Sequence, residues 1–232
     1  MPNRIVSKTE WETARRDLLK AEKEFTRLRQ ELTRTRVALP WERLEKAYRF
    51  KTTLGTVTLN ELFGGCSQLI VYHFMFAPDW AEGCKSCSFW ADNFNGIPVH
   101  LKHRDVAFAA VSRASIDKIN AYKRRMGWSF PWVSSEGTDF NFDFHVSFTP
   151  EELRVGEAYY NYEIRPVEVS DEQGISVFVK DDHGEVFHTY SCYSRGIEMM
   201  NGAYHFLDLV PKGRDEDGFD FPMTWVHRHD QY

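Results

Sequence analysis

No stretch of this sequence approaches the 18 or more consecutive apolar residues that a membrane-spanning helix needs. The longest apolar run, around Leu69–Ala77, is interrupted by His73. The first residues show neither the apolar segment nor the small-residue cleavage site of a secretion signal. We therefore expect a cytoplasmic protein without a membrane partner.

The sequence also lacks the excess of positive charge typical of nucleic-acid-binding proteins, since its formal net charge is −5. Residues 1–50 hold 13 Lys and Arg against 8 Asp and Glu, whereas the remainder holds 16 against 26. A basic segment of this kind could dock by electrostatics, but a solvated helical face is the simpler interpretation. Hydrophobic residues make up 42% of the chain, which predicts a packed core and argues against disorder.

Cysteine is scarce, and only two of the four cysteines lie close together in the sequence. They are Cys84 and Cys87; Cys66 and Cys192 stand alone. In a reducing compartment a close pair is more often catalytic or metal-binding than a structural disulfide.

A long N-terminal helix is predicted over residues 8–36, because no Gly or Pro interrupts the chain from Lys8 until Pro40. Its apolar residues are spaced alternately by three and four, as in a heptad repeat: Trp11, Ala14, Leu18, Ala21, Phe25, Leu28 and Leu32. This stripe favours packing on a folded body, its own or that of a second copy, over a free coiled coil. We predict a helical extension over 1–50, including a short helix at Trp41–Tyr48, and a folded domain with a C-terminal tail over 51–232.

The folded domain begins with Gln68–Phe76, which is apolar on both faces, as expected for a central strand. Alternating helices and strands follow, then a hairpin and a last helix. Their predicted ranges are 85–95 (helix), 105–112 (strand), 115–126 (helix), 130–134 (strand), 175–180 and 185–190 (hairpin), and 196–207 (helix). This order predicts an α/β fold of thioredoxin-like type with a peroxiredoxin-like layout, a central sheet flanked by helices.

Cys84-Lys85-Ser86-Cys87 lies where the first strand passes into the first helix of this fold. Free N–H groups and the helix dipole stabilise a thiolate at that end, and Lys85 adds a positive charge, so Cys84 is predicted to be the nucleophile. Cys87, one turn later, is predicted to resolve a mixed disulfide on Cys84. Trp80 either walls the dithiol or anchors its loop in the core.

A zinc site is the main alternative for the pair, but no second pair has metal-ligand spacing. We expect no metal and no cofactor. Cys66 and Cys192 fit inert buried positions, His73 fits a core histidine, and the histidines at 227 and 229 fit a solvated tail.

Several long motifs resemble a mainly bacterial family of unknown function, described as predicted dithiol–disulfide oxidoreductases of thioredoxin-like fold. The matching segments are Leu62–Phe76, Asp79-Trp80, Gly83–Phe94, Ala110–Ala114, Met126–Trp128, Phe130–Ser135, Asp139–Asn141, Asp143–Val146, Gly213–Asp217 and the ending from Trp225 to Asp230. The resemblance implies the fold and the redox class. Thioredoxins place a cis-proline before the third main strand; the equivalent stretch here is Gln173-Gly174-Ile175-Ser176, without proline. Ile175 is the supporting residue expected there.

The leading functional hypothesis is a thiol–disulfide oxidoreductase with an unknown thiol or disulfide substrate and an unknown electron donor. One alternative is a thiol peroxidase in which Cys84 becomes a sulfenic acid that Cys87 resolves. Another is a thioredoxin-fold binding protein whose cysteine pair has no catalytic use. A homo-oligomer through the N-terminal helix is the expected assembly, if one forms.

Overall fold

The computed structural model describes residues 4–232, and the chain divides into two compact units after Pro40. The first unit holds one helix, α1 (Lys8–Val37). Ser7 begins this helix with a capping box, in which its hydroxyl accepts the Glu10 N–H and the Glu10 carboxylate accepts the Ser7 N–H. The predicted long helix is confirmed. Its apolar stripe is exposed in the single chain: Trp11, Leu18, Phe25, Leu28 and Leu32 each expose more than half of their surface. Burial of the stripe stays a prediction.

The second unit is built on one eight-stranded mixed sheet. Its strands are β1 (Glu42–Arg43), β2 (Arg49–Thr52), β3 (Gly55–Thr58), β4 (Gln68–His73), β5 (Val106–Ser112), β6 (Trp132–Ser134), β9 (Gly174–Lys180) and β10 (Val186–Tyr193). They lie in the order β1-β10-β9-β4-β5-β6-β2-β3. A separate hairpin consists of β7 (Glu157–Tyr160) and β8 (Glu163–Pro166). The central strand β4 runs parallel to β5 and antiparallel to β9, with Val71 opposite both Ala109 and Ser176.

Helices connect these strands and cover the sheet. They are α2 (Leu59–Leu62), α3 (Lys85–Ala91), α4 (Ile97–His103), α5 (Ile116–Arg125), α6 (Phe140–Asp143), α7 (Pro150–Val155) and α8 (Gly202–Leu207), with 3₁₀ helices at Ser194–Met200 and His229–Gln231. The unit β4-α3-β5-α5 followed by the hairpin β9-β10 and α8, with spatial order β10-β9-β4-β5, is a thioredoxin-like α/β fold, as predicted. Among residues 4–232, no helix is both long and apolar enough to cross a bilayer.

Three local expectations were wrong. Trp41–Tyr48 is not helical, because Glu42 and Arg43 pair with β10 as its edge partner. The helix after the cysteine pair, predicted to reach residue 95, ends at Ala91, and a further helix, α4, follows with Pro98 in its first turn. The closing helix is split into a 3₁₀ segment and α8 at Asn201, whose side chain accepts the Tyr204 N–H.

Alternate residues of β4 face two different cores. Tyr72 packs into an aromatic-rich core with Cys87, Trp90 and Ile175. Leu69 and Val71 pack on the other face of the sheet with Phe140 and Phe178. The cysteine pair therefore sits over the first of these faces, at the end of α3 nearest β4.

Candidate active site: the Cys84–Cys87 dithiol

The chain returns tightly from the end of β4 to the start of α3. The Cys84 N–H donates to the Met75 carbonyl at 3.1 Å, which ties the loop back to the strand. Cys84 then serves as the N-cap of α3, and its carbonyl accepts both the Ser88 N–H and, at 2.8 Å, the Ser88 hydroxyl. The first turn of the helix is thus fixed around Cys84, with its free N–H groups directed at the sulfur.

The two thiols differ in exposure. Cys84 is partly exposed, whereas Cys87 is fully buried, and neither forms a disulfide. The Cys87 N–H donates to the Cys84 sulfur at 3.4 Å.

The two thiols also differ in acidity. The Cys87 thiol and the N–H groups of Cys87 and Ser86 donate to the Cys84 sulfur and lower its pKa to about 7, although burial and the Glu172 charge oppose this. Burial raises the pKa of Cys87 well above its ordinary value of 9.0, and the neighbouring Cys84 thiolate adds to this effect. One thiol of the pair is therefore primed as a thiolate and the other is held protonated.

Gln173 lies immediately before β9, on the side of the dithiol. Its Oε1 lies 3.6 Å from the Cys87 sulfur and accepts from the Tyr72 hydroxyl at 3.2 Å. Tyr72 lies on β4 directly behind the helix and is fully buried. The Gln173 amide is thus a polar neighbour of the inner thiol.

The three predicted supporting residues take different places. Trp80 packs against the core that holds Cys87, and its carbonyl accepts from the Lys118 ammonium at 3.1 Å. The Lys85 ammonium donates to the Thr224 carbonyl at 3.1 Å instead of being directed at the Cys84 sulfur. Ile175 is buried in the core with Cys87, but the polar contact with that thiol comes from Gln173, two residues earlier.

The C-terminal segment clamps the loop before Cys84. Arg228 donates to the Gly83 carbonyl at 2.7 Å and to the Tyr122 hydroxyl at 2.8 Å, and it pairs with Glu82 at 2.9 Å. Tyr122 also shares a hydrogen bond of 2.8 Å with Ser88 on α3. His227 and His229 are exposed, as expected for a solvated tail, although His229 bonds Asp92 and the neighbouring Val226 is fully buried.

Other singled-out residues lie away from the dithiol or in the core. Cys66 and Cys192 are buried, at 6% and 8% exposure. His73 is fully buried and bonds the Ser176 hydroxyl at 2.8 Å, as expected for a core histidine. Within residues 4–232 no group of three or more His, Cys, Asp or Glu side chains is arranged to hold a metal ion.

Sequence reasoning missed Tyr72, Gln173 and Arg228. A phenol in the middle of an otherwise apolar strand was the available signal for Tyr72, since a buried hydroxyl requires a partner. Gln173 was noted only for not being proline. Arg228 lies 144 residues from Cys84, and no local pattern connects them.

Comparison with known proteins gives a family match and distant structural similarity. The model of the family described as "Bacterial protein of unknown function (DUF899)" matches residues 1–232. No curated protein matches the chain.

Three solved structures illustrate the structural similarity. A Xanthomonas campestris peroxiredoxin Q is 14% identical, with 72% of this chain and 94% of that chain covered and a TM-score of 0.47. The peroxidoxin BcpB of Mycobacterium tuberculosis is 11% identical, with 71% and 94% covered and a TM-score of 0.43. A putative protein disulfide isomerase of Bacteroides thetaiotaomicron is 16% identical, with 72% and 91% covered and a TM-score of 0.38.

Proposed function

The chain belongs to the DUF899 family of bacterial proteins, and we propose that it is a thiol–disulfide oxidoreductase in which Cys84 is the nucleophile and Cys87 the resolving thiol. The observation that carries this proposal is the difference between two adjacent thiols. Cys84 is partly exposed at a helix N-cap with its pKa lowered to about 7, and Cys87 is buried with its pKa raised. A partly exposed thiolate can attack a disulfide substrate, and a buried, protonated thiol reacts only after the mixed disulfide has formed beside it.

The reaction proceeds by two exchanges. The Cys84 thiolate attacks one sulfur of a disulfide substrate, so that a Cys84–substrate disulfide forms and the first substrate thiolate leaves. Cys87 then attacks the Cys84 sulfur, so that the Cys84–Cys87 disulfide forms and the second substrate thiolate leaves. The Cys87 proton goes to the second leaving thiolate, and the first leaving thiolate takes a proton from water. The substrate is reduced by two electrons and the protein is oxidised by two; a thiol reductant returns the protein to its dithiol form.

Gln173 and Tyr72 position the second step. The Gln173 amide oxygen is an acceptor 3.6 Å from the Cys87 sulfur, and the Tyr72 hydroxyl holds that amide at 3.2 Å. The amide orients the Cys87 side chain until Cys84 carries the substrate sulfur. Removing this acceptor is expected to slow resolution more than attack.

Trapping of the intermediate tests the proposal. A Cys87→Ser variant should accumulate a mixed disulfide on Cys84 when it meets a model disulfide such as 5,5′-dithiobis(2-nitrobenzoate), whereas wild type should pass on to the internal disulfide. Cys84→Ser should form neither the mixed disulfide nor the internal disulfide. Cys66→Ser and Cys192→Ser are matched controls, because they remove buried cysteines outside the pair and should behave as wild type.

A parallel reaction with hydrogen peroxide distinguishes a thiol peroxidase from the proposed disulfide oxidoreductase. That activity would oxidise Cys84 to a sulfenic acid and consume peroxide catalytically in the presence of a thiol reductant. Rapid turnover of peroxide with slow disulfide exchange would refute the proposal and identify a thiol peroxidase instead. An unreactive Cys84 in both assays would leave a binding protein instead of an enzyme.

A further inference from the structure

A cavity of about 400 Å³ adjoins the dithiol and shares a wall with it. Glu172 and Gln173 form that wall: both line the cavity, Gln173 also contacts the Cys87 sulfur, and the Glu172 charge acts on Cys84. The volume is that of a small-molecule pocket and is too small for a folded partner. Neither cysteine lines the cavity, so a disulfide bound there must extend past Glu172 and Gln173 to reach the Cys84 sulfur.

The cavity combines an apolar side with charges of both signs. Trp90, Tyr160 and Met223 contribute apolar surface. Several of the charged groups are already paired with other protein groups, since Glu216 accepts from Tyr204 and Trp225 and Arg214 pairs with Asp208.

Arg165 and Glu172 differ from these charged groups. The only ion pair of Arg165 within residues 4–232 is with the exposed Glu163, at 3.5 Å. Glu172 forms no ion pair within the same residues, and burial raises the pKa of its carboxyl. A cation and a carboxyl group are thus available to a ligand at the same wall.

The backbone at this wall is closed to an extended peptide. The Gln173 carbonyl accepts from the Tyr160 hydroxyl at 2.8 Å, and the Gln173 N–H bonds the Glu172 carboxylate. Tyr160 is fixed in turn by the Ser194 N–H at 2.9 Å. A peptide substrate that pairs with a strand edge needs such groups free, so this wall favours a small ligand held by side chains.

We propose that this cavity binds the disulfide substrate, a small disulfide of amino-acid type that carries both carboxylate and ammonium groups. Arg165 binds a carboxylate, Glu172 accepts from an ammonium, and the apolar side takes the carbon chain. The inference rests on the proposed function, and the exchange at Cys84 and Cys87 is the one written above. It adds the class of substrate and the residues that select it.

A comparison of reduction rates for different disulfides tests the inference. Steady-state rates are measured for cystine and oxidised glutathione, which are zwitterionic, for bis(2-hydroxyethyl) disulfide, which is small and uncharged, and for the disulfides of insulin. We expect kcat/KM to be at least tenfold higher for a zwitterionic disulfide than for the uncharged one. Arg165→Gln should raise the KM for the zwitterionic substrate about tenfold with little change in kcat. Arg154→Gln, on the exposed face of α7, is the matched control.

The outcomes separate this inference from the proposed function. Equal rates for the charged and uncharged small disulfides, or faster reduction of insulin, would overturn the substrate assignment. An unchanged KM in Arg165→Gln would also overturn it. In each of these cases the selective reaction of Cys84 with 5,5′-dithiobis(2-nitrobenzoate) would still support the dithiol chemistry; failure of that reaction would refute the proposed function itself.

An independent observation concerns the residues that flank the apolar stripe of α1. With Trp11, Leu18, Phe25 and Leu32 at position a of a heptad, position g holds only acidic residues: Glu10, Asp17, Glu24 and Glu31. Position e is mostly basic, with Arg15, Glu22, Arg29 and Arg36. In a parallel pair of helices, each g residue faces the e residue five positions later on the other helix.

This pattern selects one arrangement of two helices. In a parallel, in-register pair, three of the four g–e contacts join opposite charges: Glu10 with Arg15, Glu24 with Arg29, and Glu31 with Arg36. Only Asp17 with Glu22 is repulsive. In an antiparallel pair the g positions face one another, and all of them are acidic. We infer that α1 pairs with α1 of a second copy of this chain as a parallel coiled coil, which covers the exposed stripe.

A charge exchange in the full-length protein tests this assembly. Light scattering after size-exclusion chromatography should give twice the chain mass. Glu24→Arg should weaken the dimer, by about tenfold in its dissociation constant, because attraction with Arg29 becomes repulsion in two symmetric contacts. The double variant Glu24→Arg with Arg29→Glu should restore it, and Lys23→Glu, outside the seam, should have little effect. A monomeric wild type, or a Glu24→Arg variant that dimerises more tightly, as an antiparallel pair requires, would overturn the inference.

Discussion

Gly83, immediately before Cys84, is the position at which one added methyl group should disturb the site most. A Cβ there would lie 2.7 Å from Cε1 of Phe74 and 2.8 Å from Cε1 of Tyr122. Both rings are buried, and the Tyr122 hydroxyl is held by Ser88 and Arg228. Neither ring can move aside freely, so Gly83→Ala must shift the loop or the rings.

The expected cost follows from two opposing effects. Overpacking of a filled core costs about 1–3 kcal/mol. Replacing Gly by Ala also restricts the unfolded chain, which stabilises the folded protein by about 0.4–1 kcal/mol. Overpacking is the larger effect, and we expect Gly83→Ala to lower the free energy of unfolding by about 1–2 kcal/mol.

Urea denaturation of the reduced protein measures this change. Gly218→Ala is the matched control, because its Cβ would meet no atom within 4 Å. The alkylation rate of Cys84 provides a local readout, since a displaced loop alters the 3.4 Å contact between the Cys84 sulfur and the Cys87 N–H. If Gly83→Ala unfolds at the same urea concentration as Gly218→Ala and alkylates like wild type, the close packing argued for this loop is wrong.

Three further predictions concern buried and titrating groups. Arg113→Met should lower the free energy of unfolding, measured by urea denaturation, by about 3–5 kcal/mol. It leaves the Asp171 carboxylate, 2% exposed, without the Arg113 Nε–H that donates to it at 2.8 Å. Arg154→Met, at an exposed pair, should lower it by at most about 1 kcal/mol. The pKa of Cys84 is about 7 in the folded protein, against an ordinary value of 9.0. Between pH 7 and 9 the unfolded chain therefore binds more protons than the folded protein. Reduced wild type should gain stability over Cys84→Ser as pH rises through this window and lose that gain as pH falls through 7. Burial lowers the pKa of His73 from 6.5 to about 3, so stability should fall as pH drops below 6.5, and His73→Leu should flatten that part of the stability curve; an equal acid slope in both proteins would contradict the assignment.

The elements that could be predicted from sequence are those whose signals are local. β4 is an apolar run, α5 begins at Ser115, whose hydroxyl accepts the Lys118 N–H, and the cysteine pair follows β4 directly. Each of these depends on residues within a few positions of one another. The order of such elements was sufficient to predict the thioredoxin-like fold and the place of Cys84 at a helix start.

The features that could not be predicted depend on distant partners. Glu42 and Arg43 form a strand only because β10 offers an edge 144 to 146 residues later, with Glu42 opposite His188 and Arg43 opposite Phe187. Gln173 acquires its role from Tyr72 and Cys87, and Arg228 from Gly83 and Tyr122. Lys85 shows the reverse case: sequence proximity placed its charge beside Cys84, but its ammonium donates to the Thr224 carbonyl.

The proposed exchange chemistry requires Cys84 to be a thiolate near neutral pH beside a protonated Cys87. Brief alkylation of the reduced protein with iodoacetamide from pH 5 to 10, followed by mass spectrometry of each cysteine, measures this directly; trypsin cleaves after Lys85 and separates the two sites. We predict that labelling of Cys84 rises with a midpoint near pH 7, while Cys87, Cys66 and Cys192 stay almost unlabelled below pH 9. A Cys84 midpoint near its ordinary value of 9.0, or labelling of Cys87 at the same rate, would contradict the central claim.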